Sequence, residues 1–117
     1  MAALTCKPSV RFKAFTPALL RLLRGVWTVA LGCTDVPEIV ITSANDSTHG
    51  EGSRHYSNEA LDLRVHNFLS GEARGRFVAA LRAELGPAFT VLLEAAGTSN
   101  AHIHCQPKKG TSYEGPI

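Results

Sequence analysis

The sequence predicts an α+β domain: a small antiparallel sheet with helices packed on one face. Two stretches, at about 17–31 and 70–85, space their apolar residues three and four apart, as an amphipathic helix does. Four short stretches are β-branched or alternate in polarity, as strands do. The strands meet largely through hairpins, which favours antiparallel pairing with the helices gathered on one side.

Residues 1–15 carry no strong signal and read as an arm or a short strand. Thr16-Pro17 opens the first helix, because Thr caps the free amide groups and Pro suits the first helical position. Leu19, Leu20, Leu22, Leu23, Val26, Trp27, Ala30 and Leu31 supply its apolar positions, and Gly32 stops it. Asp35 to Glu38 turns the chain, and Ile39-Val40-Ile41-Thr42 reads as a buried strand. A polar loop of small residues follows, from Ser43 to Arg54, and loops of this length inside a compact domain tend to be functional. Tyr56 to Asn58 turns the chain again, and Ala60 to Val65 alternates as a second strand. In the second helix Phe77, Val78, Leu81 and Leu85 are the apolar positions, Glu72, Arg74, Arg76 and Arg82 the polar face, and Gly86-Pro87 the terminator. Phe89 to Leu93 is the third strand, Gly97-Thr98-Ser99-Asn100 a turn, and Ala101 to Gln106 the fourth strand, hairpin partner of the third. One domain thus covers residues 1–106, and the Gly-, Pro- and Lys-rich segment 107–117 reads as a flexible C-terminal tail.

At 117 residues the chain is long enough to bury one core without staples. Its 12 basic and 10 acidic residues leave a net charge of +2, and the basic ones are scattered, so no nucleic-acid partner is expected. Cys6, Cys33 and Cys105 are odd in number and contain no CxxC pair, which excludes a closed disulfide framework and makes three free thiols in a reducing compartment the simplest reading. The first 15 residues lack the continuous apolar core of a signal peptide, and the apolar run from Val26 to Cys33 falls short of the roughly 20 residues that span a bilayer. We expect a soluble monomer, made in the cytoplasm and not inserted into a membrane.

Four of the five histidines lie in two clusters beside acidic residues. His49-Gly-Glu-Gly-Ser-Arg-His55 is followed by Asp62; His102-Ile-His104 has Glu94 upstream. Neutral imidazole and carboxylate are good zinc ligands, and a catalytic zinc takes three protein ligands and keeps one position open. His102 and His104, two apart on one strand, face the same side of the sheet, while Ile103 and Cys105 point the other way, into the core. If the strands are neighbours, His55, Asp62 and His104 can surround one metal ion. His66 reads as a surface or capping residue at the end of its strand.

The stretch Ser53-Arg-His55-Tyr-Ser-Asn-Glu-Ala60-Leu-Asp62 resembles the S-x-H-x-x-G-x-A-x-D signature of the zinc D-alanyl-D-alanine carboxypeptidases, with Ser53, His55, Ala60 and Asp62 in register. Together with Ala101-His-Ile-His104-Cys105, it also resembles the zinc-bearing signalling domain of hedgehog proteins. In length and layout the chain is most similar to small peptidase-like proteins of bacteriophages and prophages, over about residues 16–106. Two departures stand out. Asn58 occupies the signature's glycine position, where a residue tolerant of the left-handed conformation is needed. The segment from Ala95 to Asn100 is longer than the pattern.

The resemblance implies a hedgehog/D-Ala-D-Ala carboxypeptidase-like fold with one Zn2+ on His55, Asp62 and His104. It implies Glu94 as general base and His102 as the group that stabilises the tetrahedral intermediate or orients the water. His49 and Ser53 would contact the substrate or brace the ligands. The implied activity is metallopeptidase hydrolysis of the stem or crosslink peptides of bacterial peptidoglycan. A phage lysis or virion system would deliver the protein to the cell wall. Carboxypeptidase and endopeptidase action stay equally open, and the alternative is a catalytically inactive, zinc-containing binding module of the same fold.

Overall fold

The computed structural model describes residues 1–45 and 53–117. Its elements are β1 (Ala3–Cys6), α1 (Pro17–Gly32), β2 (Glu38–Ser43), β3 (Leu61–Arg64), α2 (Gly71–Leu85), β4 (Phe89–Glu94) and β5 (His102–Pro107). The fold class is α+β as expected, with both helices and four of the strands within two residues of their predicted bounds.

Local chemistry sets the helix ends. Thr16 Oγ1 accepts the amide hydrogen of Leu19 at 3.1 Å, and Pro17 follows at the first helical position, where its missing N–H costs nothing. Ser70 Oγ does the same for Ala73 at 3.0 Å, with Glu72 in the first turn of α2 and Arg82 in the last. Gly86 ends α2 at φ +77°, a conformation open to glycine at little cost.

The sheet runs β1-β2-β3-β5-β4. It is mixed, which corrects the expectation of a wholly antiparallel sheet: β1 pairs with β2 in parallel, Leu4 opposite Ile39 and Thr5 opposite Val40, while the other three pairings are antiparallel. The physical reason is the connection. A helix of 16 residues separates β1 from β2 and returns the chain to the end from which it started, so the second strand must run in the same direction as the first.

Alternation divides the sheet into two faces. Ile39 and Ile41 of β2, Leu61 and Leu63 of β3, Val91 of β4, and Ile103 and Cys105 of β5 join Leu19, Leu22 and Val26 of α1 and Phe77, Leu81 and Leu85 of α2 in one core. Gly25 lets the helices close up, since a Cβ there would lie 2.6 Å from Leu85 Cδ2. Arg21 of α1 pairs with Glu84 of α2 at 2.7 Å, and Arg82 donates to the Val91 carbonyl, fastening α2 to β4. The opposite face carries Asp62 and Arg64, His102, His104 and Gln106, and Leu92 and Glu94. No helix among the described residues is long and apolar enough to cross a membrane. Beyond β5, Tyr113 packs on Phe89 with ring centroids 4.7 Å apart, so the terminal segment lies against the edge strand β4.

Candidate metal centre

Three separate pieces of chain bring His55, Asp62 and His104 together. Asp62 and His104 come from adjacent strands and are direct cross-strand partners in the β3–β5 ladder. His55 arrives from a tight turn before β3. Ser53 Oγ accepts from the His55 amide at 3.2 Å, the Tyr56 amide donates to Ser53 O at 3.1 Å, and the Asn58 amide donates to His55 O at 3.1 Å. Asn58 takes φ +58°, the left-handed conformation expected where it replaces glycine. Thr16, having capped α1, donates its hydroxyl to Asn58 O at 2.8 Å, and Asn45 Nδ2 donates to His55 O. The register of β2 against β3 also shifts between Ile41 and Ser43, a bulge that puts Ser43 opposite Asp62.

Asp62 Oδ1 lies 3.2 Å from His55 Nε2 and 2.8 Å from His104 Nδ1, and one ligand atom from each residue falls within 4.8 Å of the other two. All three residues are buried, between 2 and 8% exposed. The far side of each ring fixes its hydrogen. His55 Nδ1 faces the Ala44 carbonyl at 2.5 Å and His104 Nε2 faces Gln106 Oε1 at 2.8 Å. Both partners are acceptors, so the outer nitrogens carry N–H and the inner lone pairs point at the carboxylate. Three electron-pair donors converging in a buried space could hold a cation among them. Ligand atoms about 2.0 Å from a tetrahedral ion stand about 3.3 Å from one another; here Asp62 Oδ1 is 3.2 Å from His55 Nε2 and 2.8 Å from His104 Nδ1, and the two nitrogens are within 4.8 Å of each other. The donor set and its spacing therefore fit a divalent metal ion.

Without such an ion, protons take its place. Burial pushes the Asp62 carboxyl upward, but hydrogen bonds from His104 and His55 outweigh it and hold the group well below the usual carboxylate range. Burial likewise disfavours the charged form of His104, but hydrogen bonds to Asp62 and Gln106 raise its pKa above the ordinary 6.5. Cys105, buried on the core side of the same strand, is raised by burial and then by the nearby Asp62 charge. A thiol so placed is an inert apolar filler, in keeping with its predicted inward direction.

Compared with known proteins, the chain matches no family model and no curated relative.

Glu94 and His102 stand at the exposed edge of the centre. They are cross-strand partners, with Glu94 Oε1 3.0 Å from His102 Nε2 and 3.9 Å from His104 Nδ1. His102 Nε2 is also 3.9 Å from Asp62 Oδ1. The long β4–β5 connection thus leaves Glu94 beside the cluster. Ala95, which follows it, sits at φ +52°, an uncommon conformation for a residue with a Cβ. Ser53 braces the His55 turn, and His49 lies outside the described residues. His66 is exposed, 3.3 Å from the Ser99 carbonyl oxygen.

Two groups at the centre escaped the sequence reading. Gln106 orients His104, and its signal was its place two residues along the same strand, on the same face. The Ala44 carbonyl orients His55, and a backbone group has no sequence signal. A cavity of about 720 Å³ lies between α1 and α2 and is lined by residues such as Val29, Cys33 and Phe77. None of the candidate site residues borders it; the charged groups that do are Asp35, paired with Arg76, and Glu84, paired with Arg21.

Proposed function

We propose that the chain is a zinc-dependent peptidase acting on the stem or crosslink peptides of bacterial peptidoglycan, in a phage system that uses it to lyse or to enter a host. The observation that carries this reading is the convergence of His55 Nε2, Asp62 Oδ1 and His104 Nδ1 with their outer partners set for metal binding. The resemblance of the Ser53–Asp62 segment to zinc D-alanyl-D-alanine carboxypeptidases supplies the substrate class.

In this reading His55, Asp62 and His104 hold the ion. A bound zinc with an open position polarises a carbonyl and lowers the pKa of water to about 7. Glu94 is exposed and borders the cluster, and in this reading its carboxylate takes a proton from water and returns it to the leaving amine. His102, anchored through Nδ1 to the Asn100 carbonyl oxygen at 2.7 Å, directs Nε2 at Glu94 and towards Asp62, where a proton on Nε2 offsets charge building on the carbonyl oxygen. Leu92, opposite His104 and exposed, offers an apolar wall for a substrate side chain.

The test uses zinc-loaded protein on purified peptidoglycan, with released amines and fragments followed by mass spectrometry. Glu94→Gln should lose about 10²- to 10⁴-fold in rate and His102→Ala about 10²- to 10³-fold, both with zinc retained. Wild-type protein that holds stoichiometric zinc but cleaves no peptidoglycan would make the chain a binding module. A wild type that holds no zinc overturns the reading altogether.

A further inference from the structure

Glu94 is the last residue of β4 and His102 the first of β5, and they face each other with Oε1 and Nε2 3.0 Å apart. His102 turns Nδ1 to the Asn100 carbonyl oxygen at 2.7 Å. A carbonyl only accepts, so Nδ1 donates its hydrogen there and Nε2 is the nitrogen that faces a carboxylate oxygen. Two acceptors this close are held together by a cation. A proton serves, and so does a transition-metal ion, for which imidazole and carboxylate are suitable ligands. His104 Nδ1 lies 3.9 Å from Glu94 Oε1, and the ligand atoms of Glu94, His102 and His104 all fall within 4.8 Å of one another. Glu94 is exposed and His102 half-buried, so an ion from solvent reaches the pair without disturbing the core.

We propose that Glu94 and His102 form a second, weaker transition-metal site beside the His55–Asp62–His104 centre, filled only when metal is in excess. The two triads share His104 Nδ1, which has one lone pair to give. An ion in the buried centre therefore leaves the outer site two protein ligands, with water completing its shell, and fewer ligands bind less tightly. Filling the outer site occupies the carboxylate and the imidazole that the peptidase reading uses to carry protons. The first equivalent of zinc then enables hydrolysis and the excess suppresses it. This consequence rests on the peptidase reading; the outer site itself does not.

The experiment titrates chelator-stripped full chain with zinc, reading stoichiometry by equilibrium dialysis and elemental analysis, in wild type, Glu94→Gln, His102→Ala and Asp62→Ala. The wild type should bind one tight equivalent and a second at least about tenfold more weakly. Glu94→Gln and His102→Ala should lose only the second, and Asp62→Ala should lose only the tight one. In ¹⁵N spectra of the imidazoles, the His102 Nε2 resonance should move over the second equivalent. A second equivalent that persists unchanged in both outer variants, the lack of any second equivalent, or an unmoved His102 resonance overturns the proposal. A chain that never hydrolyses peptides yet loses its second equivalent in the outer variants refutes the peptidase reading and upholds the outer site. Hydrolysis that continues undiminished in excess zinc while no second equivalent binds upholds the peptidase reading and refutes the outer site.

Discussion

Each imidazole of the buried centre is useful only because one of its nitrogens is already committed. Gln106 commits His104, and removing its oxygen should free the ring to adopt the wrong tautomer. We expect Gln106→Leu to bind zinc roughly 10- to 100-fold more weakly, while Gln106→Glu, which keeps an acceptor, retains tight binding; competition with a chromophoric chelator measures both. The same residues set the pH response of the metal-free protein. His104 is raised in the fold, so its contribution to stability is complete below its unfolded value of 6.5 and is lost as pH rises through its higher folded value. Asp62 is depressed, so its contribution is present above its unfolded value of 3.8 and is lost as pH falls below it. Thermal melts in chelator should show wild type losing stability relative to His104→Gln as pH rises above 6.5. With zinc the trend reverses, because binding displaces the His104 proton and so strengthens with pH. At Ala95, where φ is +52°, glycine removes the clash of a Cβ in that region, and Ala95→Gly should stabilise by up to about 1 kcal/mol in urea denaturation.

One hydroxyl couples the first helix to the centre. Thr16 caps α1 through Leu19 and donates to Asn58, whose left-handed conformation closes the turn that presents His55. Thr16→Ala should therefore cost about 1–2 kcal/mol in denaturant titration of the stripped protein and also weaken zinc binding. Thr16→Ser, which keeps both hydrogen bonds, should preserve each. The β3–β5 ladder plays the complementary part: its register sets Asp62 directly opposite His104, and a slip of β3 by one residue would turn Asp62 to the core face.

For the molecule as a whole, metal binding is folding energy. The turn carrying His55 and the paired strands carrying Asp62 and His104 converge only in the native state, so an ion held by all three stabilises that state over the unfolded chain. With free zinc about 100-fold above its dissociation constant the gain should be about 2.7 kcal/mol. Calorimetric melts should show a higher Tm with zinc, reversal by chelator, and no response to the buried centre in Asp62→Ala. Stabilisation of Asp62→Ala equal to that of wild type would remove Asp62 from the ligand set.

Features that depend on neighbours along the chain are legible in the amino-acid order. Thr16-Pro17 and Ser70 mark the helix starts by their hydrogen-bonding chemistry, Gly86 marks an end, and strict alternation in Leu61–Arg64 and His102–Gln106 says which side chains share a face. The grouping of His55, Asp62 and His104 was expected from the family resemblance and, from the residues, only on the condition that β3 and β5 are neighbours, which they are. Long-range packing set the rest. It made β1 a parallel neighbour of β2, through a crossover that local pattern does not reveal in a four-residue strand. It set the Ala44 carbonyl on His55, placed Glu94 against His102 across a long connection, and shifted β2 by a bulge beside Asp62. These depend on how distant segments meet, and local periodicity carries no term for the distance between them.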